Sequence, residues 1–374
     1  MLTKSDLDAA ELLAVARQAA DDPTFELLDW DLHVLSNGGS VNPDGLLRVD
    51  GHGCGAGGIR PWTVALKVIN LAPPEVPTTS MAYFQRESIA YAESALSRLP
   101  GPIRAARCYG VTEEGATARI WLELLAGRSG RDWDLADYAF AADQLARFHA
   151  AYTATTPLAG APWLGQALAR SWQSILPFDI AWAAPHVRAV FPPSLQQRLE
   201  HFWAEHDRFL DASERLPQVF SHNDYKSRNL FIRPNAQGAE EIAAVDWGNC
   251  GLGPLGGDLA MLVSGTVFVL DWDPARAHKL SAAAWDAYAG ALDASGLGHQ
   301  MPQARIGYLL WSVLFYGPPL AGIAAFTLQE ENYDFVQRVF GCSPTTYGEA
   351  LATLADFTLD CADEARTLLP QLNM

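Results

Sequence analysis

Hydrophobic spacing changes character twice along this chain. Residues 5–22, "SDLDAAELLAVARQAADD", put Leu12, Val15 and Ala16 on one face at helical spacing, with Ser5 as the expected N-cap. The apolar runs then shorten. "DLHVLSN", "GLLRVDG" and "WTVALKVIN" are β-like stretches separated by Gly and Pro, as in a meander. "SMAYFQRESIAYAESALSRLP" returns to helical period and stops at Leu99–Pro100, and "RAARCYGVT" and "TARIWLELLAG" read as two more strands. From about Asp132 the chain is mainly helical, with "LADYAFAADQLARFHAAYTA" and "PSLQQRLEHFWAEHDRFLDAS" clearly amphipathic. One exception interrupts the helices: "NLFIR" and "EIAAVDW" read as a small hairpin joined by the turn-former "PNAQG". The spacing therefore predicts an α+β chain of two lobes. Residues 1–126 form a small β-rich lobe with a leading helix, and residues 127–374 form a larger helical lobe, with a hinge near "LELLAG".

Composition narrows the partners. Lys plus Arg number 26 and Asp plus Glu 43, a net charge of −17, which argues against nucleic acid or an anionic membrane surface. The five cysteines are scattered without a C-x-x-C pair, as expected of reduced thiols in the cytoplasm. Acids stand in the N-terminal stretch where a signal peptide would be apolar, and no run of about 18 apolar residues is evident for crossing a bilayer. Oligomeric state is not legible.

The chemistry concentrates in "SHNDYKSRNLF", residues 221–231. Asp224 and Asn229 have D-x-x-x-x-N spacing, and Asp246 follows Asn229 by 17 residues at the end of the apolar run "IAAV". Lys67 lies inside "VALKVI", one of only four lysines in the chain, and Glu87 lies on the helix that follows. Phosphoryl transfer asks for such a set: a carboxylate to orient the attacking hydroxyl, oxygen ligands for Mg²⁺, a cation for the nucleotide phosphates and a partner to hold that cation. The bland alternatives are a polar turn at Asp224 and Asn229, a snorkelling surface lysine at 67, and a solvated Glu87 beside an exposed Arg86. His149, on an apolar helix face, reads as a hydrogen-bonded core residue. His201 and His206 are turned away from each other and are poorly placed to share a metal.

Taken together, "HNDYKSRN", "VDWGNCGLGPLGGDLA", "VALKVI", "FQRESIAY" and "DQLARFHAAY" resemble the aminoglycoside phosphotransferase and choline kinase family over roughly residues 30–260. The resemblance implies a protein-kinase-like fold and a small-molecule kinase using ATP, or GTP, with Mg²⁺. It assigns Asp224 as catalytic base, Asn229 and Asp246 as Mg²⁺ ligands, Lys67 as the phosphate-binding lysine and Glu87 as its ion-pair partner. His222 would brace the loop, and Asp258 would be structural, an N-cap of the next helix. Adenine would lie against the hinge around Glu123 and Leu125. Three departures stand out. Lys226 stands where small-molecule kinases often have His; a lysine there makes the loop look more like that of a protein serine/threonine kinase, and it would reach the transferring phosphate. Trp-Gly follows Asp246, and no Ala-Pro-Glu motif occurs, which favours a small-molecule enzyme over a protein kinase. Two glycine clusters compete for the phosphate loop. "GCGAGG" ends at Gly58, only nine residues before Lys67, room for one strand, so the loop expected to cradle phosphates is "SNGGSVN", with Ser36, Gly38, Gly39 and Ser40.

The acceptor is a small molecule with a hydroxyl, whether aminoglycoside, other antibiotic, choline-like alcohol or sugar. "LDWDPAR" (Asp271, Trp272, Asp273) and "LQEENYDF" (Glu330, Glu331, Tyr333, Asp334) mix acids with aromatics, which would suit an amine or quaternary ammonium ligand; such mixtures are also ordinary on helix ends. The rival of another class is a nucleotide-binding pseudokinase or regulatory module.

Overall fold

The computed structural model describes residues 2–36, 45–155, 158, 160–175, 182 and 184–372. The chain divides into two compact units: Met1–Pro77 with Ala82–Leu99 and Arg104–Ala126, and Thr78–Met81 with Pro100–Ile103 and Gly127–Met374. The fold is α+β, with a β-rich first unit and a helical second one.

In the first unit, helix α1 (Ala9–Ala20) precedes three long strands, β1 (Glu26–Ser36), β2 (Leu46–Gly55) and β3 (Gly58–Asn70). Helix α2 (Arg86–Ala92) follows; after the short strand β4 (Ile103–Ala105), which straddles the division between the units, come β5 (Cys108–Glu114) and β6 (Thr117–Leu122). The antiparallel sheet has the order β1-β2-β3-β6-β5. Leu12, Val15 and Ala16 of α1 do share the buried face and pack with Leu47, Val49, Val64, Leu66 and Trp121. The helix starts later than expected. Asp8, not Ser5, is the N-cap, and its carboxylate accepts the Glu11 N–H at 2.8 Å. Helix α2 is shorter than its period predicts, because Ser94 adopts φ 57° just beyond it and breaks the run.

The "GCGAGG" cluster is the β2–β3 hairpin turn, with Gly55 paired to Gly58. Its glycines answer to packing. A Cβ at Gly53 would fall 2.3 Å from the Phe25 ring, and one at Gly55 would fall 2.2 Å from Asp22 Oδ2. The Asp22 carboxylate accepts the Ala56 N–H at 2.9 Å and faces Arg60 at 3.4 Å. The hydrogen bond from the Thr24 hydroxyl, then those from the Ala56 and Thr24 amides, hold its pKa below the ordinary carboxylate value. The "SNGGSVN" stretch falls in the β1–β2 connection. Ser36 ends β1 opposite Leu46, whereas Gly38, Gly39 and Ser40 lie outside the described residues.

The second unit contains α3 (Leu135–Thr155), α4 (Leu168–Ile175), α5 (Pro185–Val190) and α6 (Pro193–Arg215), then β7 (Gln218–Ser221), β8 (Leu230–Pro234), β9 (Glu240–Ala244) and β10 (Gly251–Pro254). It continues with α7 (Gly257–Ala260), a π turn Met261–Gly265, α8 (Thr266–Phe268), α9 (Ala277–Leu292), α10 (Met301–Tyr316), α11 (Pro318–Thr327), α12 (Tyr333–Phe340) and α13 (Pro344–Leu368). The β8–β9 hairpin is the one read from "NLFIR" and "EIAAVDW". The helical stretch Pro274–Thr327 is apolar and long enough to cross a membrane, although no such run was evident in the sequence. Polar positions such as Gln303, Arg305 and Ser312 interrupt it. Its most apolar window is 72% buried, and α10 within it forms much of the unit's core.

The hairpin makes a direct prediction. Gly55→Val drives a branched side chain into the Asp22 carboxylate and should cost on the order of 1–3 kcal/mol, the usual range for overpacking. Nucleotide affinity should stay near wild type. A lowered melting temperature beside unchanged nucleotide titration supports a structural role for this turn; unchanged melting with lost nucleotide binding would reassign it to the phosphates.

Candidate active site

Strand β7 delivers the chain to His222, and the backbone then turns sharply. Asn223 has φ 61°, in the left-handed region that a non-glycine residue enters at a cost. Asp258 secures this turn. Its fully buried carboxylate accepts the His222 N–H through Oδ2 and the Asn223 N–H through Oδ1, each at 2.7 Å. Asp258 is therefore structural, as expected, but it does not cap its own helix: α7 has Gly256 at the N-cap position and no side-chain cap. Behind Asp258, His149 Nε2 lies 3.7 Å from Oδ2 while its Nδ1 meets the Tyr288 hydroxyl at 2.9 Å. Burial, and then the Asp258 charge, push the Tyr288 pKa far up, so this hydroxyl stays neutral.

The His222 ring is fixed at both nitrogens. Nδ1 accepts the Asp224 N–H at 3.3 Å and Nε2–H donates to the Val245 carbonyl at 2.9 Å. The Trp247 ring packs on it with centroids 4.4 Å apart. Lys226 Nζ donates to both oxygens of Asp224, at 2.7 and 2.6 Å. Asn229 Nδ2 donates to the Asp224 backbone carbonyl and to Oδ2, both at 2.8 Å, which leaves the amide oxygen as the end able to bind a metal. The Val245 N–H donates to the Asn229 carbonyl at 2.9 Å, so the residue before Asp246 is tied to Asn229 itself. Asp246 is exposed with φ 63°, a second non-glycine residue in the left-handed region. Asn229 and Asp246 thus offer an amide oxygen and a carboxylate from neighbouring backbone, a hard donor pair suited to Mg²⁺. No group of three or more His, Cys, Asp or Glu side chains able to hold a metal occurs among the described residues.

In the first unit, alternation along β3 puts Val64 and Leu66 on the face packed by α1 and Lys67 on the other. There Lys67 Nζ meets Glu87 Oε2 at 2.5 Å. Glu87 is buried, and so is Arg86, which sets aside the alternative of a solvated face on that helix; the Arg86 guanidinium lies over the Tyr83 ring. At the hinge, the Glu123 N–H is bonded to the Arg107 carbonyl at 2.8 Å and its carboxylate to Arg104 at 2.8 Å, while Leu125 is buried.

A sequence model of the phosphotransferase enzyme family matches residues 63–296, from within the Lys67 strand past Asp258. The chain belongs to this family. The phosphotransferase is accordingly a small-molecule kinase whose chemistry is transfer to a hydroxyl group. No curated protein matches it in sequence. Among solved structures, a microcompartment-associated aminopropanol kinase matches 93% of this chain and 98% of its own, at 15% identity and a TM-score of 0.51, a likeness of fold. An ethanolamine kinase of Plasmodium vivax (13% identity, 87% and 82% of the two chains, TM-score 0.45) and a spectinomycin phosphotransferase (14%, 94% and 98%, 0.40) also match.

The residues expected to receive the acceptor scatter. Asp271 has a buried carboxylate fully engaged by Arg228, at 2.9–3.1 Å, and by Ser227 Oγ, at 2.9 Å, so it is not open to an amine. Trp272 packs edge-on to Tyr138 and beneath Arg276, and Asp273 caps the turn Pro274–Arg276 by accepting the Ala275 N–H. Glu330, Glu331, Tyr333 and Asp334 are exposed around the start of α12. Sequence reasoning passed over Tyr316. Its hydroxyl lies 2.8 Å from where a Gly265 Cβ would be, with Lys226 Cβ at 3.5 Å from the same point. Burial first, and the Asp224 charge second, keep that phenol neutral.

Removing the Asp258 carboxylate tests how far the loop depends on it. Asp258→Ala leaves two buried amides without acceptors, at about 1–3 kcal/mol each. The melting temperature should fall and kcat should drop at least tenfold while the nucleotide Kd changes less. A variant with wild-type melting and turnover would remove Asp258 from this role.

Proposed function

We propose that this phosphotransferase moves the γ-phosphoryl group of ATP, or GTP, to a hydroxyl of a small molecule, with Mg²⁺ as the metal. One observation carries the reading. Lys226 and Asn229 fix the Asp224 carboxylate from two sides, and Asn229 is tied through its own carbonyl to the strand end that presents Asp246. In this reading a base, a cation and two oxygen ligands lie on two chain segments joined by that backbone hydrogen bond.

In this reading the acceptor hydroxyl hydrogen-bonds to Asp224. Its oxygen forms the new bond to the γ-phosphorus as the bond to the β–γ bridging oxygen breaks. The hydroxyl proton passes to Asp224, and ADP leaves with the bridging oxygen. Lys226 would trade one of its bonds to Asp224 for a γ-phosphate oxygen, shielding the charge that accumulates between them. Lys67, held by Glu87, would bind nucleotide phosphates, and the hinge backbone near Glu123 and Leu125 would receive the base. Asn229 and Asp246 would hold Mg²⁺, which would supply neutralising charge for the phosphate oxygens.

Two substitutions test these roles separately. Asp224→Asn keeps size and some hydrogen bonding but loses the proton acceptor. It should lower kcat by on the order of 10²-fold or more, with little change in the Kd of Mg²⁺–ATP by calorimetry. Asp246→Ala should abolish turnover and also weaken Mg²⁺-dependent nucleotide binding. If Asp224→Asn turns over an acceptor at close to the wild-type rate, Asp224 is only a loop residue. Near-normal turnover of Asp246→Ala at low millimolar Mg²⁺ would refute the metal assignment.

A further inference from the structure

A chain with a net charge of −17 carries one concave site dominated by arginine. Arg131, Arg228 and Arg338, with Gly130 and Gly341, line a cavity of about 300 Å³, and Asp271 is the single acid in its wall. All belong to the second unit.

Donor geometry shows what remains unused. Arg228 spends Nε and Nη2 on Asp271 and the Val269 carbonyl. Arg131 places Nε 3.4 Å from Asp271 and Nη2 3.4 Å from the Phe340 carbonyl. The Nη1 groups of both arginines have no partner among the described residues, and the exposed Arg338 makes no hydrogen bond or ion pair with any of them. One carboxylate and three guanidinium groups line the cavity, so its lining keeps positive charge. The bland reading is that Asp271 exists only to anchor Arg228 and Arg131. That accounts for the bonds they make, but not for Arg338 on the same cavity. Guanidinium groups converging with free N–H pairs match the planar or tetrahedral oxygens of a carboxylate or phosphate.

The cavity is also close to the chemistry. Arg228 lies in the catalytic loop four residues after Asp224, so their Cα atoms are within about 15 Å even along a fully extended chain. The intervening segment is a tight 3₁₀ turn, Ser227–Asn229, which shortens that span. A molecule of metabolite size is long enough to span that distance.

We propose that this arginine cavity is the subsite for an anionic group, carboxylate or phosphate monoester, on the acceptor itself. This rests on the kinase reading above and deepens it: the substrate class becomes hydroxy compounds that carry an acid group, rather than polyamines. Asp271, which would serve an amine if it were open, is instead the internal counter-ion that aims Arg228.

The test has two arms. Inorganic phosphate is titrated into the intact protein, with the nucleotide site filled by ADP and Mg²⁺, and followed by phosphorus NMR. Arg338→Ala should weaken phosphate binding by about tenfold, as expected for loss of a charge-assisted contact, and Arg338→Lys should restore part of it. Arg338 is exposed and has no partner among the described residues, so neither variant should disturb folding; melting temperatures check this. In the second arm, acceptor-dependent ADP release is compared for hydroxy acids, phosphorylated sugars, neutral polyols and amino alcohols. Acid-bearing compounds should be the better acceptors, and Arg338→Ala should raise their KM severalfold with kcat little changed. Phosphate that fails to bind, or binds equally to Arg338→Ala, overturns the subsite. Arg338-dependent phosphate binding with no preference for acid-bearing acceptors means a free anion occupies the cavity, which overturns its assignment to the acceptor. Absence of ADP release with every class defeats the kinase reading and the acceptor assignment with it, while the phosphate arm still reports on the cavity.

Discussion

The second unit is organised around one buried charge. Asp258 has no solvent contact, and an isolated carboxylate in that setting would be prohibitively costly. It is tolerated because two backbone amides, from His222 and Asn223, donate to it at 2.7 Å and His149 stands behind it. In return it holds Asn223 in a left-handed conformation that the chain would otherwise leave. That turn aims Asp224 and sets His222 to bridge to the Val245 carbonyl, which aligns the Asp246 loop. The loop, the tie between Asn229 and the Asp246 turn, and the lysine clamp on Asp224 all trace back to this constraint. Preorganisation of this kind lets a positioned carboxylate act in the transition state without first reordering its surroundings.

How much of this was legible depended on distance along the chain. The loop set His222, Asp224, Lys226 and Asn229 lies within eight residues, and local spacing was enough to find it. The β8–β9 hairpin and the meander announced themselves by period and by Pro, Asn and Gly at the turns. The Lys67–Glu87 contact needed two elements to meet, and it came into view through the family resemblance. A solvated face stayed open as an alternative because Arg86 beside Glu87 looks exposed when the ring that its guanidinium lies over, Tyr83, is not recognised as its partner.

Long-range electrostatics was the part that sequence could not display. Asp258 reads as the start of a helix, because a carboxylate near a helix N-terminus ordinarily caps it; nothing local says that its acceptors serve amides 35 and 36 residues earlier. Asp271 beside Trp272 reads as an amine site, since the arginines that occupy it come from the catalytic loop and from the chain ahead of α3. The N-cap of α1 was missed by three residues because Ser5 and Asp8 both fit the capping preference, and only the hydrogen bond to Glu11 separates them. The glycine clusters illustrate the same limit. A G-x-G-x-x-G pattern records where a side chain is forbidden, and here Phe25 and the Asp22 carboxylate forbid it as firmly as a phosphate would.

The central claim is transfer of a phosphoryl group from a nucleotide to a hydroxyl held by Asp224. Phosphorus NMR of the protein with Mg²⁺–ATP and a panel of hydroxylated small molecules tests it most directly, because it identifies where the phosphorus goes. The account predicts loss of the ATP γ resonance, stoichiometric appearance of ADP, and a new phosphomonoester resonance in the small-molecule fraction that depends on the acceptor added. ATP consumption that yields only inorganic phosphate, or phosphorus that stays attached to protein, would contradict it.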